Sequence, residues 1–443
     1  MIAKQYVKKA SLVSNFSWAF IGNVVYAGCQ WGMLMVLAKL GSTEMVGRFA
    51  LGLAITAPVI TFVKFDLRAI QATDIQGQYS FGDYLSLRLI NCMLALFVIA
   101  CIGHFGNYIL DAQIVILIIA IAKIIEAICD IFHGLLQRHE RMDLIAISYL
   151  IKGPLSVILL AAGLLCGGLK WGVLGMLLSW ALVFFLYDMQ VGMKMLRITE
   201  RHDEHLKSIK EKKKRWIQLA KQTLPMGIGT LLLSLDDNIP RLFIEHQLGE
   251  IRLGIFAAMA YIQVAGTTVV RALTYSSAPR LAEAYAKPGH TGFLPLLAKI
   301  TSVGFLIGLV GWISSALIGE DLLRILYTPR YSEWAKVFTW LMAGSMMHYI
   351  AMFLSSGIVV IRYFRSSMTL EFIVLLTIVT GCFCLIPGYG ILGAAWAVGL
   401  GTSVHAFGAF GIIAYVCLSE KRKWSQKKGN KMKSGYMMDA CSR

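Results

Sequence analysis

The sequence predicts an all-α integral membrane protein of about twelve transmembrane helices in two sets of six. Three observations predict it. The chain is 57% hydrophobic and 15% charged, with a mean hydropathy of +0.66. A soluble globular chain is about 25% charged, so these charges are too few to cover a water-soluble protein of this size. The apolar residues lie in long runs, and about 20 such residues in a helix cross the roughly 30 Å hydrocarbon layer. Lysine and arginine gather in alternate connections between the runs.

The first six runs are residues 12–38, 46–64, 84–104, 111–135, 143–166 and 171–194. The last six are 217–245, 252–274, 293–318, 334–361, 367–387 and 390–417. Backbone groups in lipid must be satisfied within the segment. Runs this continuous are helices, not the short alternating strands of an outer-membrane barrel. The first run is too long for a cleaved signal peptide and reads as a helix that stays.

The formal charge is +17, but its placement argues against nucleic acid. One side collects Lys4, Lys8, Lys9, Arg138, Arg141, Lys207, Lys210, Lys212, Lys213, Lys214 and Arg215. Arg280, Lys287, Arg362, Arg365 and the basic tail join them. The opposite connections hold Lys39, Lys170, Arg252, Arg324 and Arg330. The positive-inside rule then puts both termini and the central basic loop in the cytoplasm. The tail reads as a solvated segment near anionic lipid headgroups.

That loop, residues 196–216, divides the chain into a first lobe (1–195) and a second (217–418), followed by a tail (419–443). The lobes look like repeats. The first-to-second junction reads Leu40-Gly41 then Gly47-Arg48-Phe49-Ala50; the matching junction reads Leu248-Gly249 then Gly254-Ile255-Phe256-Ala257. Each lobe has an even number of helices, so the repeats share one orientation. Transporters use such repeats with a substrate site between the halves; a duplicated scaffold would show the same pattern.

Ionisable groups at membrane depth are costly and mark cavities or partners. The fourth run carries Lys123, Glu126, Asp130 and His133 in one helical stripe. The seventh carries Asp236, Asp237, Arg241 and Glu245, with Pro225 and Pro240 interrupting its hydrogen-bond ladder. The stripes read as cavity lining or as structural ion pairs. The seventh helix could also stop near Ser234 and leave its aspartates at the interface. The first run places Asn23 and Gln30 on one face, read as the opposite wall of the same cavity. Lys64 and Arg68 end the second helix, and Arg271 and Arg280 follow the eighth, as a cationic cytoplasmic entrance suited to phosphate.

The remaining motifs exclude chemistry. There is no Walker loop, HExxH or Gly-x-Ser-x-Gly elbow. No external connection can hold a catalytic domain; the longest, 319–333, reads as a short interfacial helix. The cysteines within the runs, among them Cys129, Cys382 and Cys384, read as small hydrophobes. No metal or cofactor is expected, and the chain reads as a transporter rather than an enzyme.

Three segments carry a family resemblance: the Leu40–Ala50 junction, Asp66-Leu67-Arg68 through Asp74, Tyr79–Tyr84 and Arg88, and Ala278-Pro279-Arg280-Leu281-Ala282. From Asn15 to about Leu418 the chain resembles the Wzx-type polysaccharide transporters of the multidrug/oligosaccharidyl-lipid/polysaccharide exporter superfamily. The resemblance implies two six-helix lobes around a central cavity in a bacterial inner membrane. It implies a polyprenyl-pyrophosphate-linked oligosaccharide as cargo, flipped from the cytoplasmic to the outer leaflet. Proton or sodium coupling is implied, with Asp236, Asp237, Glu126 or Asp130 titrating, and glycan polymerase machinery as a partner. The alternatives are a cation-coupled multidrug exporter of the same superfamily and a membrane glycan polymerase or ligase. The first helix has no interior arginine or acid, which separates the chain from the peptidoglycan-precursor and drug/sodium branches.

Overall fold

The computed structural model describes residues 12–74, 76–199, 209–287 and 292–441. Lys4, Lys8, Lys9 and Lys207 lie outside them, with linker residues 200–208. Among the described residues are twelve long helices and no strand. The first lobe holds α1 Leu12–Leu40, α2 Thr43–Lys64, α3 Phe81–Phe105, α4 Leu110–Arg138, α5 Met142–Gly167 and α6 Leu169–Thr199. The second holds α7 Ile209–Leu248, α8 Glu250–Ala286, α9 Phe293–Leu326, α10 Ala335–Ile361, α11 Phe364–Tyr389 and α12 Ile391–Cys441. Ten are long and apolar enough to cross a membrane by length and composition. The other two, α4 and α7, carry the charged stripes. The protein is a multi-pass membrane protein.

The same neighbours recur in both lobes. In the first, α1 packs along α5, α5 against α6, and α2 and α3 against α4. In the second, α7 packs along α11, α11 against α12, and α8 and α9 against α10. The lobes meet through α2, which packs on α7 and α8. Here the two junctions aligned in the sequence bear on each other. A Cβ on Gly47 would stand 1.9 Å from the Glu250 carbonyl oxygen, and one on Gly254 would stand 2.0 Å from that of Thr43. Only glycine permits backbones this close.

Local chemistry sets the ends that position the site. Ser42 caps α2, its Oγ accepting from the Met45 amide at 3.2 Å. Ser80 and Asp83 form a reciprocal capping box at the start of α3. Phe65 and Asp66 both adopt positive φ, at 49° and 48°. They turn the chain into the short helix Leu67–Thr73, which packs on α4.

Three expectations change. The eighth helix was expected to end at residue 274, but α8 runs to Ala286. Arg271 and Arg280 therefore lie inside α8, not after it. The hydroxyls that ended the apolar run bond back along the helix: Thr267, Thr268 and Thr274 donate to carbonyls one turn earlier, and Ser276 and Ser277 do likewise. Self-satisfied hydroxyls do not break a helix. Second, α7 continues through Ser234 to Leu248 with Pro225 and Pro240 inside it, so the reading in which it stops near Ser234 fails. Third, α12 continues to Cys441, carrying the helix into the basic tail. The stretch 319–333 is largely helical: α9 breaks at Ile318 (φ −127°, ψ 15°) and continues to Leu326, and Pro329–Ser332 follows as a short helix.

Replacing Gly254 with valine forces the junctions apart and should cost about 1–3 kcal/mol, as overpacking does elsewhere. Thermal unfolding of detergent-solubilised protein by size-exclusion fluorescence measures this. An unchanged midpoint would show that the junctions do not pack as described.

Candidate substrate cavity

The α4 stripe is a network that joins α1, α2, α4, α5, α6 and the short helix after α2. Lys123 Nζ lies 2.9 Å from Glu126 Oε2 and 5.0 Å above the Trp180 ring of α6. The Tyr26 hydroxyl of α1 donates to Glu126 Oε1 at 3.1 Å, and its ring stacks on Tyr149 of α5. Asp130 accepts from Arg68 Nη1 at 3.1 Å and lies 3.7 Å from Lys64 Nζ. Arg68 also donates to Gln137 and Tyr149. Lys64 and Arg68, expected at an entrance, thus join Asp130 in the same polar surface. All five charged side chains of this set stay partly exposed.

His133 turns the other way. Its Nε2 lies 3.1 Å from Asp188 Oδ1, and Lys152 Nζ lies 3.4 Å from Asp188 Oδ2. Cys129 Sγ donates to the same carboxylate at 3.0 Å, so Cys129 is a hydrogen-bonding member of a polar cluster rather than a plain hydrophobe. A π-helical turn, Phe184–Asp188, delivers the aspartate. Cys129, His133 and Asp188 could meet one metal ion by distance. The Lys152 ammonium already neutralises the carboxylate there, which favours an ion-paired cluster.

The segment that carries the family resemblance has a structural job. Asp74 accepts from the amides of Gln78 and Tyr79 and from the Tyr84 hydroxyl, shaping the approach to α3. Arg215 at the start of α7 reaches Asp83 at 3.0 Å and stacks on Tyr79, whose hydroxyl donates to Gln222. The segment clips α7 to the first lobe. Arg88 is fully buried, and its guanidinium faces Asp130 and Asp66 without a hydrogen bond.

The second lobe encloses a polar recess of about 260 Å³ between α7, α8, α10, α11 and α12. Asp236, Asp237 and Arg241 line it, joined by Arg271, His348, Glu371 and His405. Asp237 and Arg271 are exposed and Asp236 is half-buried. Arg241 donates to Asn238 at 3.2 Å and lies over the Tyr261 ring. Glu371, His348 and His405 were not foreseen. Each is a lone ionisable residue inside an apolar run, and that was the available signal.

Other expected residues fall elsewhere. Glu245, on the face shared with Asp237 and Arg241 in the sequence, lines a different groove with His246. This groove, about 830 Å³ and largely apolar, lies between α2, α3 and α7. Asn23 is exposed and donates to its own helix at the Ala19 carbonyl. Gln30 is half-buried on α1, and neither residue borders the recess. Arg280 is exposed near the end of α8.

At the junction end the lobes are latched. Arg48 bridges Glu44 and Glu250, the latter at 2.7 Å across the interface. Trp31 donates to the Tyr327 hydroxyl at 3.0 Å, which donates onward to the Ala258 carbonyl. Toward the other end, α1 exposes Phe16, Phe20 and Asn23, and α8 exposes Leu273 and Tyr275.

Two lobes of six helices with repeated packing, each holding a charged cluster, define a transporter of the multidrug/oligosaccharidyl-lipid/polysaccharide (MOP) exporter architecture. A MOP superfamily transporter from Pyrococcus furiosus matches with a TM-score of 0.63 at 15% identity, covering 94% of this chain and 96% of that one. A Vibrio cholerae MATE transporter matches at 0.61 and 12% identity, with 94% and 98% covered. Residues 12–285 match the polysaccharide biosynthesis protein family, and the chain belongs to it. It is 29% identical over 389 residues to a capsular polysaccharide biosynthesis protein, CapF, of Staphylococcus aureus, across 87% of this chain and 95% of that protein. The resemblance noted in the sequence is borne out.

The buried Lys152–Asp188 pair gives a stability prediction. Removing one charge by Lys152→Met strands the other and should cost about 3–5 kcal/mol. Adding Asp188→Asn should recover part of that loss. Unfolding midpoints of the two single variants and the double variant check it; additive losses would mean that the pair does not interact.

Proposed function

We propose that this protein flips a polyprenyl-pyrophosphate-linked oligosaccharide from the cytoplasmic to the outer leaflet by alternating access. The observation that carries the reading is that the two lobes hold unlike sets of charges. In the first lobe the partly exposed Lys64, Arg68 and Lys123 outnumber the Glu126 and Asp130 that they pair with. In the second, Asp236, Asp237 and Glu371 outnumber Arg241 and Arg271. The partly exposed Lys64, Arg68 and Lys123 suit the pyrophosphate and Asn23 suits sugar hydroxyls, while the lipid chain stays in the bilayer. The kinship with a capsular polysaccharide biosynthesis protein supports the same cargo.

In this reading the protein is a transporter without bond-making chemistry, in a bacterial inner membrane with both termini cytoplasmic, supplying a glycan polymerase. The junction end is then the outer end, and the latch at Arg48 and Glu250 holds it shut. A second reading, a cation-coupled exporter of drugs, draws support from the acid-rich second lobe and from the MATE fold neighbours. It predicts that deletion sensitises cells to cationic dyes.

In a deletion strain, lipid-linked oligosaccharide should be trapped on the cytoplasmic face of spheroplasts, out of reach of an impermeant probe. Intermediates that still reach the outer face would remove the flippase reading. Lys123→Met and Asp237→Asn should block export while inserting normally; normal surface polymer from both would sink the cavity assignment.

Glu250→Gln weakens the latch and should favour the outward-open state. A cysteine placed at Ser42 reports this, labelling several-fold faster with an impermeant maleimide. An unchanged rate would show that the Arg48 bridge does not hold the gate.

A further inference from the structure

We infer that Arg88 is a reserve partner for Asp130: it takes that carboxylate when Lys64 and Arg68 turn from it to hold the phosphate of the cargo, and it thereby sets how tightly the headgroup is bound. The inference rests on the flipping reading above and assigns a positioning residue to its phosphate site.

Arg88 lies on α3 at 0% exposure. Its Nε, Nη1 and Nη2 are all buried, and none makes a hydrogen bond. A guanidinium offers five N–H donors, and a charge without bonded partners at membrane depth is costly. The acids that act on it are Asp130 on α4 and Asp66 at the turn after α2. Asn91, one turn along the same face of α3, donates to the Val63 carbonyl at 3.0 Å. That bond holds the Arg88 face of α3 against the end of α2.

Arg88 does not bond Asp130 because both carboxylate oxygens are taken. Arg68 Nη1 lies 3.1 Å from Oδ1, and Lys64 Nζ lies 3.7 Å from Oδ2. These two are also the cations that a solute can reach, with side-chain exposures of 22% and 26%. A phosphate can therefore claim Lys64 and Arg68 but not Arg88, and in doing so it strips Asp130 of its bonded cations. Other cations of the lobe are engaged: Lys123 holds Glu126, and Lys152 and His133 hold Asp188. Among the described residues that act on Asp130, Arg88 is the cation with every donor unused.

The turn between the two accessible cations gives the exchange its movement. Lys64 ends α2 and Arg68 lies in the short helix, and between them Phe65 and Asp66 hold positive φ of 49° and 48°. Side chains disfavour that region, so the turn stores strain that a change of partner can release. Asp66 precedes the short helix without a side-chain capping bond. In the exchange Asp130 gives up Lys64 and Arg68 and gains Arg88, while the phosphate takes the donors so released. A partly buried carboxylate stranded without a cation is strongly destabilising. With Arg88 beside it, Asp130 is never stranded; without Arg88, the cargo must compete with Asp130 for both cations.

The test titrates full-length protein, in nanodiscs of zwitterionic lipid, with inorganic pyrophosphate by calorimetry. Arg88→Met should weaken binding by roughly tenfold or more. Arg88→Lys, which keeps a cation beside Asp130, should lose far less. Asp130→Asn should tighten binding, because Lys64 and Arg68 then have no competitor, and in that background Arg88→Met should lose most of its effect. A merely structural arginine would weaken binding equally with and without the Asp130 carboxylate. That result, or no pyrophosphate binding by the unaltered protein, overturns the inference. If Arg88→Met fails to fold, Arg88→Lys enters the same cycle, and its smaller loss must likewise shrink with Asp130→Asn. The titration involves neither lipid chain nor sugar, so its failure is separate from failure of the flipping assay.

Discussion

Charge inside hydrocarbon must meet opposite charge, a hydrogen bond or water, and the arrangement of both lobes follows from that demand. In the first lobe it is met by pairing. Glu126 takes Lys123 and Tyr26, Asp130 takes Arg68 and Lys64, and Asp188 takes Lys152 and His133. Each pair joins different helices or successive turns, so the ions that need partners also bind α1, α2, α4, α5 and α6 together. Charges paired in this way resist separation, and Lys64, Arg68 and Lys123 stay partly exposed.

The second lobe meets the same demand by leaving space. Its acids share a recess with histidines, and two of their buried oxygens, on Asp236 and Glu371, make no hydrogen bond. Space around unpaired acids allows a change of protonation or position that closed ion pairs resist. In the proposed function the first lobe holds the anionic headgroup of the cargo. The repeated packing supplies two equivalent frames, and the side chains placed on them make the frames unequal.

Movement between the lobes is bounded by two kinds of contact. At the junction end, Gly47 and Gly254 let backbones touch, while Arg48 and Trp31 supply bonds that can break. At the start of α7, Arg215 and Gln222 tie that helix to the turn before α3. In the proposed rocking motion, opening the first contact leaves the second closed, because α7 is held to the first lobe both by this clip and by its packing on α2.

The sequence by itself determined the membrane class, the helix count, the two-lobe plan and the family. These rest on run length, loop charge and matched junctions, which are local or periodic properties of the chain. It also marked Lys123, Glu126, Asp130, Asp236 and Asp237, because charge in an apolar run stands out without any partner in view. Only the tertiary structure decided the partners. Glu245 shares a helical face with Asp237 but opens into another groove, since α7 borders two spaces along its length. Lys64 and Arg68 became part of the α4 network because the turn at Phe65 and Asp66 folds them back. Glu371 meets His405 across 34 positions, and Lys152 meets Asp188 across 36. No spacing rule reports such meetings, because they depend on which helices become neighbours and how each is rotated.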